Sequence, residues 1–190
     1  MDTNSNQLEE LKKDSKTVYE IILNSNSNRL KYLSSHRYYK SGNNNDCIDD
    51  KNTFIMVHQS QIEAQEWILI PVDKENNIFE IEFFTDEYNQ KGWKLYVPIE
   101  KQDQLEYKVT LSKNNASKWK LIPIGENFEI QEVTTEYNLT SHHETLVRDS
   151  GSNFVYVTNP GMSGDVWKIT LYTRKKVQPH DLISKLNYFK

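Results

Sequence analysis

Apolar and polar residues alternate with a period of two through much of this chain, the spacing of strands with one buried face. Three stretches open with the same aromatic-Glu-Ile triplet: Tyr19-Glu20-Ile21, Phe79-Glu80-Ile81 and Phe128-Glu129-Ile130. In each, the aromatic and the Ile stand two apart and share a face. A second phrase, Trp67-Ile68-Leu69-Ile70-Pro71, returns as Trp119-Lys120-Leu121-Ile122-Pro123 and more loosely as Trp167-Lys168-Ile169-Thr170-Leu171. Ten residues before each Trp lies Val57, Val109 or Val157, and twelve before lies Ile55, Tyr107 or Val155. β-Branched and aromatic enrichment marks these segments as strands too. A less uniform strand is expected at Leu30–Leu33, Trp93–Val97 and Glu144–Val147.

Self-similarity at a spacing of 52 residues (67 to 119) and then 48 (119 to 167) is the mark of a chain built from repeated units. Each unit reads as four short strands, twelve in all. The units run over about 17–73, 74–125 and 126–173. The first is longer because of Ser41–Asp50, a polar Gly/Asn/Asp-rich loop, and loop insertions cost little. Residues 1–16 form an extension in which Leu8 and Leu11 could share a helical face, although a frayed end is the favoured expectation. Residues 174–190 form a tail. There Asp181 is suited to cap a short helix carrying Leu182, Ile183 and Leu186 on one side.

A net charge of −4 argues against a nucleic-acid partner, since phosphate binding wants a basic face. The run Arg174-Lys175-Lys176 is too short to change that. The single cysteine, Cys47, excludes an intrachain disulfide. No apolar stretch is long enough to span a bilayer. No signal peptide is read at the N-terminus, so a cytoplasmic location or release by a non-classical route is expected.

Three four-stranded units of this length resemble a β-trefoil, an all-β fold in which six strands close a barrel and three hairpins cap one end. Closure removes free sheet edges. Among trefoils the motif is similar to that of ricin-B-type lectin domains, whose units carry Gln-any-Trp near the last strand. Gln65-Glu66-Trp67 matches it; Ser117-Lys118-Trp119 and Asp165-Val166-Trp167 replace the Gln. Trp67, Trp119 and Trp167 are then expected as symmetric core residues.

The resemblance implies a sugar site built from an acid after a unit's first strand, a stacking aromatic and an amide. A carboxylate and amides can bond fixed hydroxyls while a ring covers the apolar sugar face. Asp86, Asn89, Trp93 and Tyr96 fit this in the second unit, and Glu136 with Asn138 in the third. The phrases Tyr88-Asn89 and Tyr137-Asn138 also read as a recurrent turn, and Trp93 as core. His142 and His143, adjacent on the chain, would face opposite ways on a strand and so do not suggest a shared metal. No cofactor motif and no catalytic motif is read. The expected function is non-enzymatic binding of a glycan or glycoprotein, in the manner of a lectin and in the setting of a toxin's receptor-binding component. The alternative is a protein-binding trefoil, an inhibitor or assembly subunit, acting through loops or through residues 177–190.

Overall fold

The computed structural model describes residues 3–13, 17–24, 31–37, 53–58, 66–84, 91–99, 104–145, 153–160 and 165–172. Within them lie one helix, α1 (Thr3–Leu11), and thirteen strands. In chain order the strands are β1 (Val18–Leu23), β2 (Lys31–Arg37), β3 (Thr53–His58), β4 (Trp67–Asp73), β5 (Ile78–Phe83), β6 (Lys94–Tyr96) and β7 (Glu106–Lys108). They continue with β8 (Thr110–Ser112), β9 (Trp119–Ile124), β10 (Asn127–Glu132), β11 (Asn138–Thr145), β12 (Asn153–Thr158) and β13 (Trp167–Leu171).

Six strands close a barrel. β1 pairs with β4, β4 with β5, β5 with β9, β9 with β10, β10 with β13, and β13 returns to β1, every pair antiparallel. The register repeats three times around the ring. The opening aromatics meet the tryptophans as Tyr19–Trp67, Phe79–Trp119 and Phe128–Trp167. The next layer pairs Ile21 with Ile169, Ile81 with Leu69 and Ile130 with Leu121. All of these side chains are buried. Each seam carries the same backbone hydrogen bond to the carbonyl before a Trp: Asn24 N–H to Val166 O (2.8 Å), Phe84 N–H to Glu66 O (2.9 Å) and Val133 N–H to Lys118 O (2.9 Å).

The remaining strands form three paired arms, β2–β3, β6–β8 and β11–β12, each tied to a barrel strand. The arms meet one another where β12 pairs with both β3 and β7. Their inward residues Leu33, Leu95 and Leu139 join Ile55, Val57, Tyr107, Val109, Val155 and Val157 in one core with the barrel.

Three features depart from the sequence reading. The third strand of the middle unit is broken at Val109 into β7 and β8, which pair with different neighbours. The arm strand of the third unit begins at Asn138, ahead of the expected Glu144, and takes in His142 and His143. The N-terminal extension is helical. Leu8 and Leu11 are both buried in the common core, and the Gln7 side-chain amide donates to Ile169 O at 2.7 Å. Burying two leucines outweighs the weak helix tendency of so short a segment. No helix among the described residues is long and apolar enough to cross a membrane.

The tryptophans are alike in position but not in bonding. Trp67 Nε1 donates to Leu33 O at 3.1 Å and Trp167 Nε1 to Leu139 O at 2.9 Å. Trp119 Nε1 is buried without a hydrogen-bond partner. Trp67→Phe should therefore destabilise the protein by about 1–3 kcal/mol more than Trp119→Phe, because only the first strands a carbonyl. Urea denaturation of the two variants measures the difference, and equal losses would refute the bonding asymmetry.

The β4–β5 turn gives a second prediction. The Asp73 carboxylate accepts hydrogen bonds from the Asn76 side chain (2.7 Å) and from the backbone N–H groups of Glu75 and Asn76 (both 3.1 Å). The Asn76 bonds lead in holding its carboxyl below the usual aspartate range. A lowered folded value stabilises fully above the unfolded value of about 3.9 and is lost as pH falls through the folded one. Melting temperature should thus fall less steeply with acid in Asp73→Asn than in the parent.

Candidate functional site

The residues two before Trp119 and Trp167 each tie the barrel to an arm. Ser117 Oγ accepts the Val97 N–H at 3.0 Å, and Asp165 Oδ2 accepts the Ser141 N–H at 2.6 Å. Val97 and Ser141 each stand two residues past the equivalent leucines, Leu95 and Leu139. Gln65 holds the same place before Trp67 but lies outside the described residues. In the second and third units Ser and Asp thus each present an acceptor to an arm amide. In the second unit the Ser117 N–H also donates to Leu95 O at 3.1 Å. That carbonyl is the counterpart of the one each of the other tryptophans uses.

The arm strands meet the barrel at equivalent points. Tyr32 pairs with Ile22, Lys94 with Glu82 and Asn138 with Gln131. The residues just before them, Lys31, Trp93 and Tyr137, are thus equivalent. Counting from the opening aromatic had matched Tyr137 with Tyr88; pairing matches it with Trp93. The Glu of the opening triplet reaches these same arm residues. Glu80 forms an ion pair with Lys94 at 2.7 Å, and the Asn138 amide lies 3.5 Å from Glu129 Oε2. Burial, with Glu20 adding to it, pushes the Tyr32 hydroxyl up from its ordinary value.

The expected site residues separate by accessibility. Asp86 and Asn89 lie outside the described residues. Trp93 is 9% exposed and belongs to the core, while Tyr96 beside it is half-buried. Asn138 is 3% exposed, and its backbone carbonyl accepts the Thr140 hydroxyl at 3.0 Å. Glu136 is exposed, in a turn where its φ of 59° places it in the left-handed region.

The third unit brings Glu136 and Asn138 together through Gln131, whose amide donates to Glu136 O at 3.0 Å and to Asn138 Oδ1 at 3.4 Å. Between them Tyr137 is half-buried, its ring centroid 5.7 Å from that of Tyr107 and its hydroxyl donating to Gln104 O at 2.8 Å. Next to Gln104, Leu105 is 67% exposed. Beneath the turn, Glu132 is buried, and its Oε2 accepts the Thr135 N–H (2.7 Å) and hydroxyl (2.9 Å). Glu132 pairs with Trp119 in the barrel, where Phe83 and Leu23 pair with the other tryptophans. Gln131, Glu132 and Thr135 escaped the sequence reading. The signal was a polar Glu132 at a position that is apolar in both other units. Among the described residues no three His, Cys, Asp or Glu side chains form a cluster suited to a metal.

No protein-family model and no curated protein matches the sequence. Solved structures do. A Caenorhabditis elegans protein of unknown function aligns over 82% of this chain and 93% of its own, with 16% identity and a TM-score of 0.56. An exo-β-1,3-galactanase from Clostridium thermocellum aligns over 85% of this chain with the same identity and TM-score. The match covers 31% of the galactanase, so the chain corresponds to one part of that larger enzyme. A Haemophilus ducreyi cytolethal distending toxin chain aligns at a TM-score of 0.47 and 12% identity. These likenesses extend to the fold.

The acceptor role gives a direct test. Ser117→Ala and Asp165→Ala should each cost about 1–3 kcal/mol by leaving a buried amide unpaired. Ser117→Asp, which restores an acceptor, should recover most of the loss. Equal denaturation midpoints for Ser117→Ala and the parent would remove the role.

Proposed function

We propose that the chain is a β-trefoil that binds carbohydrate without transforming it. The observation that carries the reading is the closed six-stranded barrel whose Tyr/Phe–Trp register recurs three times, with a Trp-minus-two acceptor in the second and third units. The galactanase supports it: the aligned part is under a third of an enzyme that acts on a polysaccharide. Several shallow sites on one molecule raise avidity. The setting of a toxin's receptor-binding component rests on analogy of fold alone.

In the third unit the ligand contacts are Glu136, whose exposed carboxylate accepts from sugar hydroxyls, and the open edge of Tyr137. In the second unit Asp86 and Asn89 take the polar roles beside Tyr96. Trp93 and Asn138 then shape the sites from within. The left-handed turn at Glu136 favours this division, because a non-glycine residue there carries a backbone cost of about 1–2 kcal/mol that its side chain must justify.

Titration of galactose and other monosaccharides, followed by amide chemical shifts, should move the resonances of Glu136 and Tyr137 at millimolar ligand. Glu136→Gln should weaken binding about tenfold without altering the melting temperature. A glycan array and titration both silent at such concentrations would overturn the reading.

A further inference from the structure

The outward faces of the barrel walls differ from unit to unit. On β4 they carry Ile68, Ile70 and Val72; on β9 Lys120, Ile122 and Ile124; and the β13 strand presents Lys168 and Thr170, with Tyr172 following it. The alternate residues Trp67 and Leu69 are fully buried. β4 is therefore apolar on both faces, a pattern that belongs to strands covered on both sides and not to an antiparallel wall facing water. Val18, in register with Ile68, extends the surface across β1. Val72 is 44% and Ile124 43% exposed, while Ile68, Ile70 and Ile122 are half-buried. Glu82 stands opposite Ile68 at the border of the row, and Glu80, ion-paired with Lys94, stands opposite Ile70.

The chain leaves the barrel beside this wall. Tyr172 N–H donates to Val18 O at 2.9 Å, and Val18 is the neighbour of Ile68. Beyond Tyr172 lie residues 173–190, outside the described residues. Their sequence places Arg174-Lys175-Lys176 first and then Leu182, Leu186 and Phe189 at the i, i+4, i+7 spacing of one helical face, with Asp181 as cap. Ten residues of chain reach about 30 Å, enough to bring Leu182 to any part of the wall.

We propose that the occupant of the β4 wall is the chain's own segment 177–189. Its apolar face covers Ile68, Ile70 and Val72, and the basic run ahead of it meets Glu82 at the border. The tail is then a built-in cover for this surface and not a free arm for another protein.

Methyl-labelled full-length protein tests this against a variant carrying Leu182→Asp and Leu186→Asp. The Ile68, Ile70 and Val72 methyl resonances should shift between the two proteins. Those of the core residues Ile21, Ile81 and Ile130 should hold, showing an intact barrel, and the shifts should not depend on protein concentration. Unmoved wall methyls would overturn the proposal. So would wall shifts that depend on concentration with a doubled mass in light scattering, which would assign the wall to a second copy.

Discussion

The structure depends on satisfying one kind of buried amide. Where an arm leaves the barrel in the second and third units, the backbone N–H two residues past the core leucine bonds to a side chain of the Trp strand's approach. An unpaired amide there costs as much as several buried methylenes repay. In the second and third units the residue two before the Trp supplies an acceptor for that amide, a hydroxyl in one and a carboxylate in the other. In the second unit the Ser117 N–H donates to the Leu95 carbonyl, the counterpart of the carbonyls that accept the other two indoles. Trp119 Nε1 is left without a partner there.

The same unit's barrel contact breaks symmetry at Glu132. Trp67 meets Phe83 edge-on, with ring centroids 5.9 Å apart and planes at 69°. Trp119 faces a carboxylate in that place. The buried carboxylate is tolerated because the Thr135 amide and hydroxyl bind it, closing the turn that leads into Glu136 and Tyr137. A position used for packing in two units is used in the third to shape a surface turn.

Much of the barrel was legible in the sequence because its strands have one buried face. The triplets, the tryptophans and the valines ten residues before them all sit in positions where period two and burial coincide. The arms were less legible. Their junctions follow loops of unequal length, so counting along the chain matched Tyr137 with Tyr88, whereas the hydrogen-bond register matches it with Trp93. The break at Val109 left no mark, since the residues on both sides keep strand composition. Helix α1 was read as a frayed end because its two leucines earn their burial from the barrel and not from each other. The glutamate of each triplet was noticed as part of a pattern, but its contacts with Lys94 and Asn138 join residues whose spacing changes from unit to unit.

The position held by Lys31, Trp93 and Tyr137 shows how a threefold scaffold can divide its labour. Each residue follows a unit's first loop and sits against the same turn of the barrel. In the second unit the ring is absorbed into the core. In the third it rests on Tyr107 and keeps part of its face open, with Glu136 exposed beside it. In the first a lysine replaces the ring. Packing that is identical in all three units leaves no room for a ligand; packing that is relaxed in one unit leaves an aromatic edge and a carboxylate in a fixed relation. The core layers keep the three walls alike, so the proposed binding is built where the units diverge. In the described part of this chain the sharpest divergence is the turn from Glu132 to Asn138.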